Sequence, residues 1–227
     1  MIDAAQLLNE SAAVLLDFDG PVTPLMPAPA NMYAADAARE ALKAHGFTPP
    51  GELAKTSDHL ALVRWAGVHA PDALADVDDA CTIAEMGSAR TCIPTPGAHA
   101  LLAALYAAKT PVVVVSNNDA SAIHNYLQRH ELTAYVRDVI GRPFMRPDLM
   151  KPHPHTVELA LAAVASSASR TVLIGDSVSD IEVARATGVH SIGYAKTKQR
   201  GTELHEAGAD AVTDSIVSLV ANVGPNR

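Results

Sequence analysis

Two carboxylates one residue apart, Asp17 and Asp19, stand at the end of the apolar run Val14-Leu15-Leu16, and Gly20 follows them. Side chains i and i+2 of an extended segment point the same way, so both acids can face one pocket. Acids this close repel one another unless positive charge joins them, which points to a divalent cation held by oxygen ligands. A bare Asp-x-Asp-Gly is equally a turn, so the rest of the chain has to decide. Three further polar clusters bear on it. Ser116-Asn117-Asn118 follows the run Val112 to Val115. Gly175-Asp176-Ser177-Val178-Ser179-Asp180 follows Val172-Leu173-Ile174. Lys151 sits in Lys151-Pro152-His153-Pro154, just ahead of a helical pattern. A nucleophile, carboxylates for a metal, an ammonium and hydroxyl or amide donors are the parts that phosphoryl transfer needs.

Those clusters converge only if the elements before them lie side by side. The sequence predicts a helix over 3–10, a strand over 12–17 and a proline-rich linker over 21–29. Helical patterns follow at 32–45, from 57 or 58 to 68, and 71–86, and no strand pattern appears between 30 and 90. Pro94, Pro96 and Gly97 make a second linker. From there helices (98–108, 119–130, 154–165, 179–187, 202–207, 214–222) alternate with strands (111–115, 139–140, 171–174, 189–192, 211–212). Continuous β-branched runs mean strands buried on both faces, and alternation of β with α means a parallel sheet. In such a sheet the strand ends share one edge, where ligands bind. The helical block between two linkers reads as an insertion joined to the core by two hinges.

Composition limits the partners. Acids outnumber bases 25 to 17, a formal charge of −8, and aromatics are only 4%, which argues against nucleic acid. Cys81 and Cys92 lack metal-site spacing and read as reduced packing thiols. No secretory leader pattern and no apolar run of membrane-spanning length is present, so the expectation is a cytoplasmic protein that uses no membrane.

Taken singly, each polar residue has a plainer use: Asp176 and Asp180 as helix caps, Ser116 as a turn residue, Lys151 as a solvated charge. Taken in order, Asp17-x-Asp19, Ser116, Lys151-Pro152 and Gly175-Asp176-x3-Asp180 resemble the haloacid dehalogenase superfamily of hydrolases, in its phosphatase branch with a helical cap. The resemblance covers about 1–23 and 91–227. It implies an α/β fold: a Rossmann-like parallel sheet with helices on both faces, forming a core of 1–23 and 91–227, and a small α-helical cap, 24–90, inserted after the first strand. It also implies a Mg2+-dependent phosphatase, phosphoglycolate-phosphatase-like, acting on a small phosphorylated metabolite through an aspartyl-phosphate.

By position, Asp17 resembles the nucleophile and Asp19 the acid/base. The Asp17 and Asp176 carboxylates with the Asp19 carbonyl would hold Mg2+. Ser116 and the Asn117 amide would bind the phosphoryl group. Lys151 would neutralise charge there, and Asp180 would orient Lys151 or a metal-bound water. Where the family most often has threonine, this chain has Pro21, and Thr23 is the nearest hydroxyl to replace it. His59, Arg64 and Trp65 are cap candidates for substrate contact, with packing as the plainer reading. His153 and His155 are not needed by a hard cation. The alternatives are a phosphosugar mutase of the same fold, a dehalogenase, a phosphonate hydrolase with Lys55 as its cap lysine, and a non-catalytic binding protein. Asp19 argues against the dehalogenase and the phosphonate hydrolase, and the intact acid set against the binding protein. Oligomeric state is left open.

Overall fold

A computed structural model describes residues 3–221 and 223. The outermost residues assigned to the core, and position 222 of the expected terminal helix, lie outside the described residues. The chain runs α1 (Ala4–Glu10), β1 (Ala13–Leu16), α2 (Ala30–Ala44), α3 (His59–His69), α4 (Leu74–Ala89), α5 (Ala98–Ala107), β2 (Val112–Val115) and α6 (Ala120–Arg129). It continues with β3 (Asp138–Ile140), α7 (His155–Val164), β4 (Thr171–Gly175), α8 (Val178–Thr187), β5 (His190–Tyr194), α9 (Lys198–Glu206), β6 (Ala211–Thr213) and α10 (Ile216–Val220). The six strands form one sheet in the order β3-β2-β1-β4-β5-β6, and every pairing is parallel.

β1 is central because it is apolar on both faces. Val14 and Leu16 join Val112, Val114, Val172 and Ile174 in one apolar cluster, while Ala13 and Leu15 join Val113, Val115 and Leu173 in another. These are the alternate positions of each strand, so each face buries one set. The strand order runs outward in both directions from β1 and β4. Their shared carboxyl end is therefore the topological switch point, where this architecture opens a crevice.

The stretch between β1 and α5 contributes helices and short 3-10 turns. α2, α3 and α4 enclose a separate apolar cluster built on Ala35, Leu42, Leu62, Val77 and Cys81. The two chain segments leading into and out of this block are laced together. Thr23 Oγ1 donates to the Ile93 carbonyl at 2.7 Å, Thr95 Oγ1 donates to the Gly20 carbonyl at 2.6 Å, and the Thr95 N–H donates to the Val22 carbonyl at 2.9 Å. Thr23 is thus fully buried as a tie between the linkers.

Element ends follow their caps. Asp3, Asp58, Asp119 and Thr197 each accept an N–H of the helix that follows. Thr197 starts α9 at Lys198, four residues earlier than the sequence pattern suggests, because the apolar periodicity of a mostly polar helix fades before its cap does. No helix among the described residues is long and apolar enough to cross a membrane.

Candidate active site

The carboxyl ends of β1, β2 and β4 border a cleft of about 300 Å³. Its lining includes Asp17, Asp19, Ser116, Asn117, Lys151 and Asp176 from the sheet edge and Asp58, Leu60 and Arg64 from the helical block. Asp17 is the first residue after β1, and its N–H donates to the Ile174 carbonyl at 2.8 Å, which extends the ladder with β4 and fixes the carboxylate. A tight turn follows. The Gly20 N–H donates to the Thr23 carbonyl, and the Val22 and Thr23 N–H groups donate to the Phe18 carbonyl. Gly20 has φ +112°, and a Cβ there would lie 2.0 Å from Asp176 Oδ2. Only glycine allows both that backbone and that approach of the β4 acid to the β1 turn. Pro21 sits at the tip of the turn, where a residue without an N–H costs nothing.

Lys151 crosses beneath the cleft, buried to 2% exposure. Its Nζ donates to Asp17 Oδ1 at 2.8 Å, the Val115 carbonyl at 2.8 Å and Asp180 Oδ1 at 2.6 Å. Three acceptors match the three hydrogens of an ammonium. Burial alone would lower its pKa, but the carboxylates of Asp17 and Asp180 outweigh that and raise it. Asp180 caps its own helix: Oδ2 accepts from the Ser177 N–H at 3.0 Å and Ser177 Oγ at 2.6 Å. Asp17 is pushed up by burial, with Lys151 opposing and Asp180 and Asp176 adding to the rise. Asp176 is pushed up to about 7, by burial first and then by Asp180 and Asp19. Asp19 turns its carboxylate to the Leu25 N–H at 2.8 Å, and burial raises its pKa.

Oxygens of Asp17, Asp176 and Asp180 lie within 4.8 Å of one another. Hard, oxygen-only and crowded, this donor set suits a divalent cation such as Mg2+. Asp180 already has donors on both oxygens, so Asp17 and Asp176 are the freer ligands.

Asn117 folds its carboxamide back onto the lysine loop. The Lys151 N–H donates to Oδ1 at 2.8 Å, and Nδ2 donates to the Lys151 carbonyl at 3.1 Å. Ser116 is buried, and its hydroxyl donates to Asn118 Oδ1 and accepts from the Asn118 N–H, both at 3.2 Å. Arg64 reaches over from α3 and donates to the Lys151 carbonyl at 3.1 Å. His59 and Trp65 are not among the residues lining the cleft. His59 pairs with Glu85 at 2.8 Å in the interior, and Trp65 packs on the cluster of the helical block and stacks near His69. The Thr23 hydroxyl, expected as a stand-in for the family threonine, is held by Ile93 instead.

Sequence reasoning passed over a second buried charge cluster beside the cleft. Arg142, just past β3, donates from Nε to Asp78 Oδ1 at 2.6 Å, from Nη1 to Glu85 Oε1 at 2.8 Å and from Nη2 to Thr82 Oγ1 at 3.0 Å. One signal was there to read. Asp78 and Glu85 fall on the same stripe of α4 as Leu74, Val77 and Cys81, and an acid on an apolar stripe calls for a partner.

A haloacid dehalogenase-like hydrolase family model matches residues 70–194. The chain belongs to that family. Its relatives include a phosphoglycolate phosphatase of Photobacterium profundum, 29% identical over 124 residues, which covers 55% of this chain and 53% of the relative. This chain therefore spans about half the length of that relative. A phosphoglycolate phosphatase of Rhodospirillum rubrum is 27% identical over 183 residues, covering 79% of this chain and 67% of its own length. Among solved structures, CbbY from Rhodobacter sphaeroides in complex with phosphate has the same fold. Its TM-score is 0.69 at 22% identity, covering 94% of this chain and 99% of that one.

Proposed function

We propose that this chain is a divalent-cation-dependent phosphatase that hydrolyses a small phosphorylated metabolite through an aspartyl-phosphate on Asp17. The observation that carries this is the Lys151 ammonium, clamped between Asp17 and Asp180, with the Asp176 carboxylate in the same cluster and, among the described residues, only half-exposed Lys196 paired with it, at 3.9 Å. Asp17, Asp176 and the main-chain carbonyl of Asp19 would hold Mg2+, which offsets the negative charge of carboxylates and phosphate.

The Asp17 oxygen that Lys151 does not hold attacks phosphorus. An O–P bond forms and the ester O–P bond breaks. Asp19, kept protonated more readily by burial, gives its proton to the departing alkoxide. Asp19 then takes a proton from water as that water attacks the phosphorus. The acyl phosphate P–O bond breaks, which returns Asp17 as carboxylate and releases phosphate. The Ser116 hydroxyl and the Asn117 N–H bind the phosphoryl oxygens. Lys151 stays an ammonium throughout and stabilises Asp17 before and after attack. The helical block 24–90 serves as a cap over the core of 1–23 and 91–227, and Arg64 is its cationic contribution to the cleft.

The relatives' names support phosphoglycolate as the first substrate to try, and xylulose 1,5-bisphosphate, found with a CbbY variant, is a second. The test is phosphate release from a panel of sugar phosphates, nucleotides and phosphoglycolate. Activity should vanish in excess chelator and return with Mg2+. Full activity in chelator refutes the cation's role, and phosphate transfer without release of free phosphate points to the mutase instead.

A further inference from the structure

The proposed phosphate-binding loop, Ser116 to Asp119, is finished by a carboxylate from outside the core. Glu85 on α4 accepts from the Asp119 N–H through Oε2 at 2.7 Å and from Asn118 Nδ2 through Oε1 at 3.0 Å. Arg142 holds the same loop from its other side. Its N–H donates to the Asn118 carbonyl at 2.8 Å, and its Nη1 donates to the Asn117 carbonyl at 3.1 Å as well as to Glu85. Gly141 passes so close that a Cβ there would lie 2.5 Å from the Ala120 nitrogen. Glu85 itself is fully buried. His59 is its further partner from α3, and Arg142 ties it to Asp78. Every carboxylate oxygen in this cluster has a donor, since the Met145 N–H reaches Asp78 Oδ2 at 3.3 Å.

We propose that Glu85, braced by Arg142, is a positioning residue for phosphate binding: the helical block sets the conformation of loop 116–119 and so the affinity of the site for the phosphoryl group. What the loop binds rests on the phosphatase reading; how the loop is held does not. The Ser116 N–H is anchored to the Ile140 carbonyl at 2.9 Å, but its hydroxyl is held by Asn118 in both directions at 3.2 Å, which is weak. The shortest bond to this loop's main chain is the one from the Asp119 N–H to a carboxylate, at 2.7 Å, and charge-assisted bonds are the stronger kind. Without it, the Ser116 hydroxyl and the Asn117 N–H lose their fixed aim, and a preorganised site loses affinity when its donors must be ordered on binding.

Glu85→Gln is the direct test. It keeps one oxygen for the Oε1 donors and sets an amide N–H against the Asp119 N–H. The inhibition constant for inorganic phosphate and the KM for p-nitrophenyl phosphate should both rise about tenfold, the size of one lost charge-assisted hydrogen bond. The turnover number should change far less. A second pair of variants leaves the side chains of the buried cluster unchanged. Asp119 has φ −67°, a proline's own value. Asp119→Pro removes the N–H and the helix cap, whereas Asp119→Ala removes the cap alone. Only the proline variant should weaken phosphate binding.

A lowered melting temperature with unchanged phosphate inhibition and KM in Glu85→Gln, or equal phosphate affinity in the two Asp119 variants, overturns the proposal and leaves the phosphatase reading standing. A wild type that binds phosphate without hydrolysing any substrate sinks the phosphatase reading. Calorimetric phosphate binding would then still decide the role of Glu85.

Discussion

At the ends of β1 and β4, the buried Lys151 ammonium is paired with Asp17 and Asp180, while Asp19 turns to the Leu25 N–H and Asp176 has half-exposed Lys196 at 3.9 Å. Against Asn117 and Asn118 on the same edge, Arg142 answers Asp78 and Glu85, and every carboxylate oxygen there has a donor. Both clusters are buried, both bridge distant parts of the chain, and both contain acids and a base. The first is overcharged and opens on a cleft. The second is satisfied and closed. Their pKa shifts follow: Asp176 is pushed up to about 7, whereas Glu85 is held down at about 2. Burial pushes Glu85 up, but the His59 hydrogen bond and the Arg142 charge outweigh it. Unanswered charge is a place to put a cation and a phosphate. Answered charge holds a structure in place.

Activity separates the two most widely. Asp17→Asn should abolish turnover of p-nitrophenyl phosphate, a loss on the order of 10⁴-fold or more, with no trapped phosphoenzyme, because it removes the nucleophile. Asp19→Asn should lose ~10²–10⁴-fold, more on alkyl than on aryl phosphates, since an activated leaving group needs little protonation. Equal losses on both substrate types, with chemistry rate-limiting, would remove Asp19 from the proton-transfer role.

Stability should separate them with opposite signs. Arg142→Met strands two buried carboxylates and should cost ~3–5 kcal/mol in urea unfolding. Asp176→Asn in cation-free buffer at neutral or higher pH should instead stabilise by ~1 kcal/mol, because it removes one of several like charges. That variant should also lose most of the rise in melting temperature that Mg2+ gives the wild type. If both substitutions destabilised alike, the contrast between an open and a closed cluster would be wrong.

A smaller and more specific effect belongs to acid unfolding. The folded-state pKa of Glu85, about 2, lies below its ordinary 4.5. Its contribution is therefore complete above pH about 4.5 and is lost as the pH falls toward 2, by up to about 3 kcal/mol. Comparing wild type with Glu85→Gln across that window should show the loss in the wild type only. Parallel stability profiles would mean that Glu85 is not held as a buried carboxylate.

Much of this was fixed along the chain before any folding in space. Runs such as Val112 to Val115 and Val172 to Ile174 carry their own strand and burial signal, and Asp3 and Asp58 mark helix starts by capping chemistry that is local. The parallel α/β sheet follows from alternation, and the candidate residues at the sheet edge follow from polar clusters at strand ends. Three-dimensional packing decided the rest. Nothing local in Asn117 says that its side chain will hold the Lys151 backbone, since 34 residues separate them. Nothing local pairs Arg142 with an acid 64 residues away, or turns the Thr23 hydroxyl to Ile93, 70 residues on. A side chain's type and spacing set what it can do. Which partner it finds depends on how elements far apart in sequence come to lie within about 3 Å, and burial then makes that choice energetically binding.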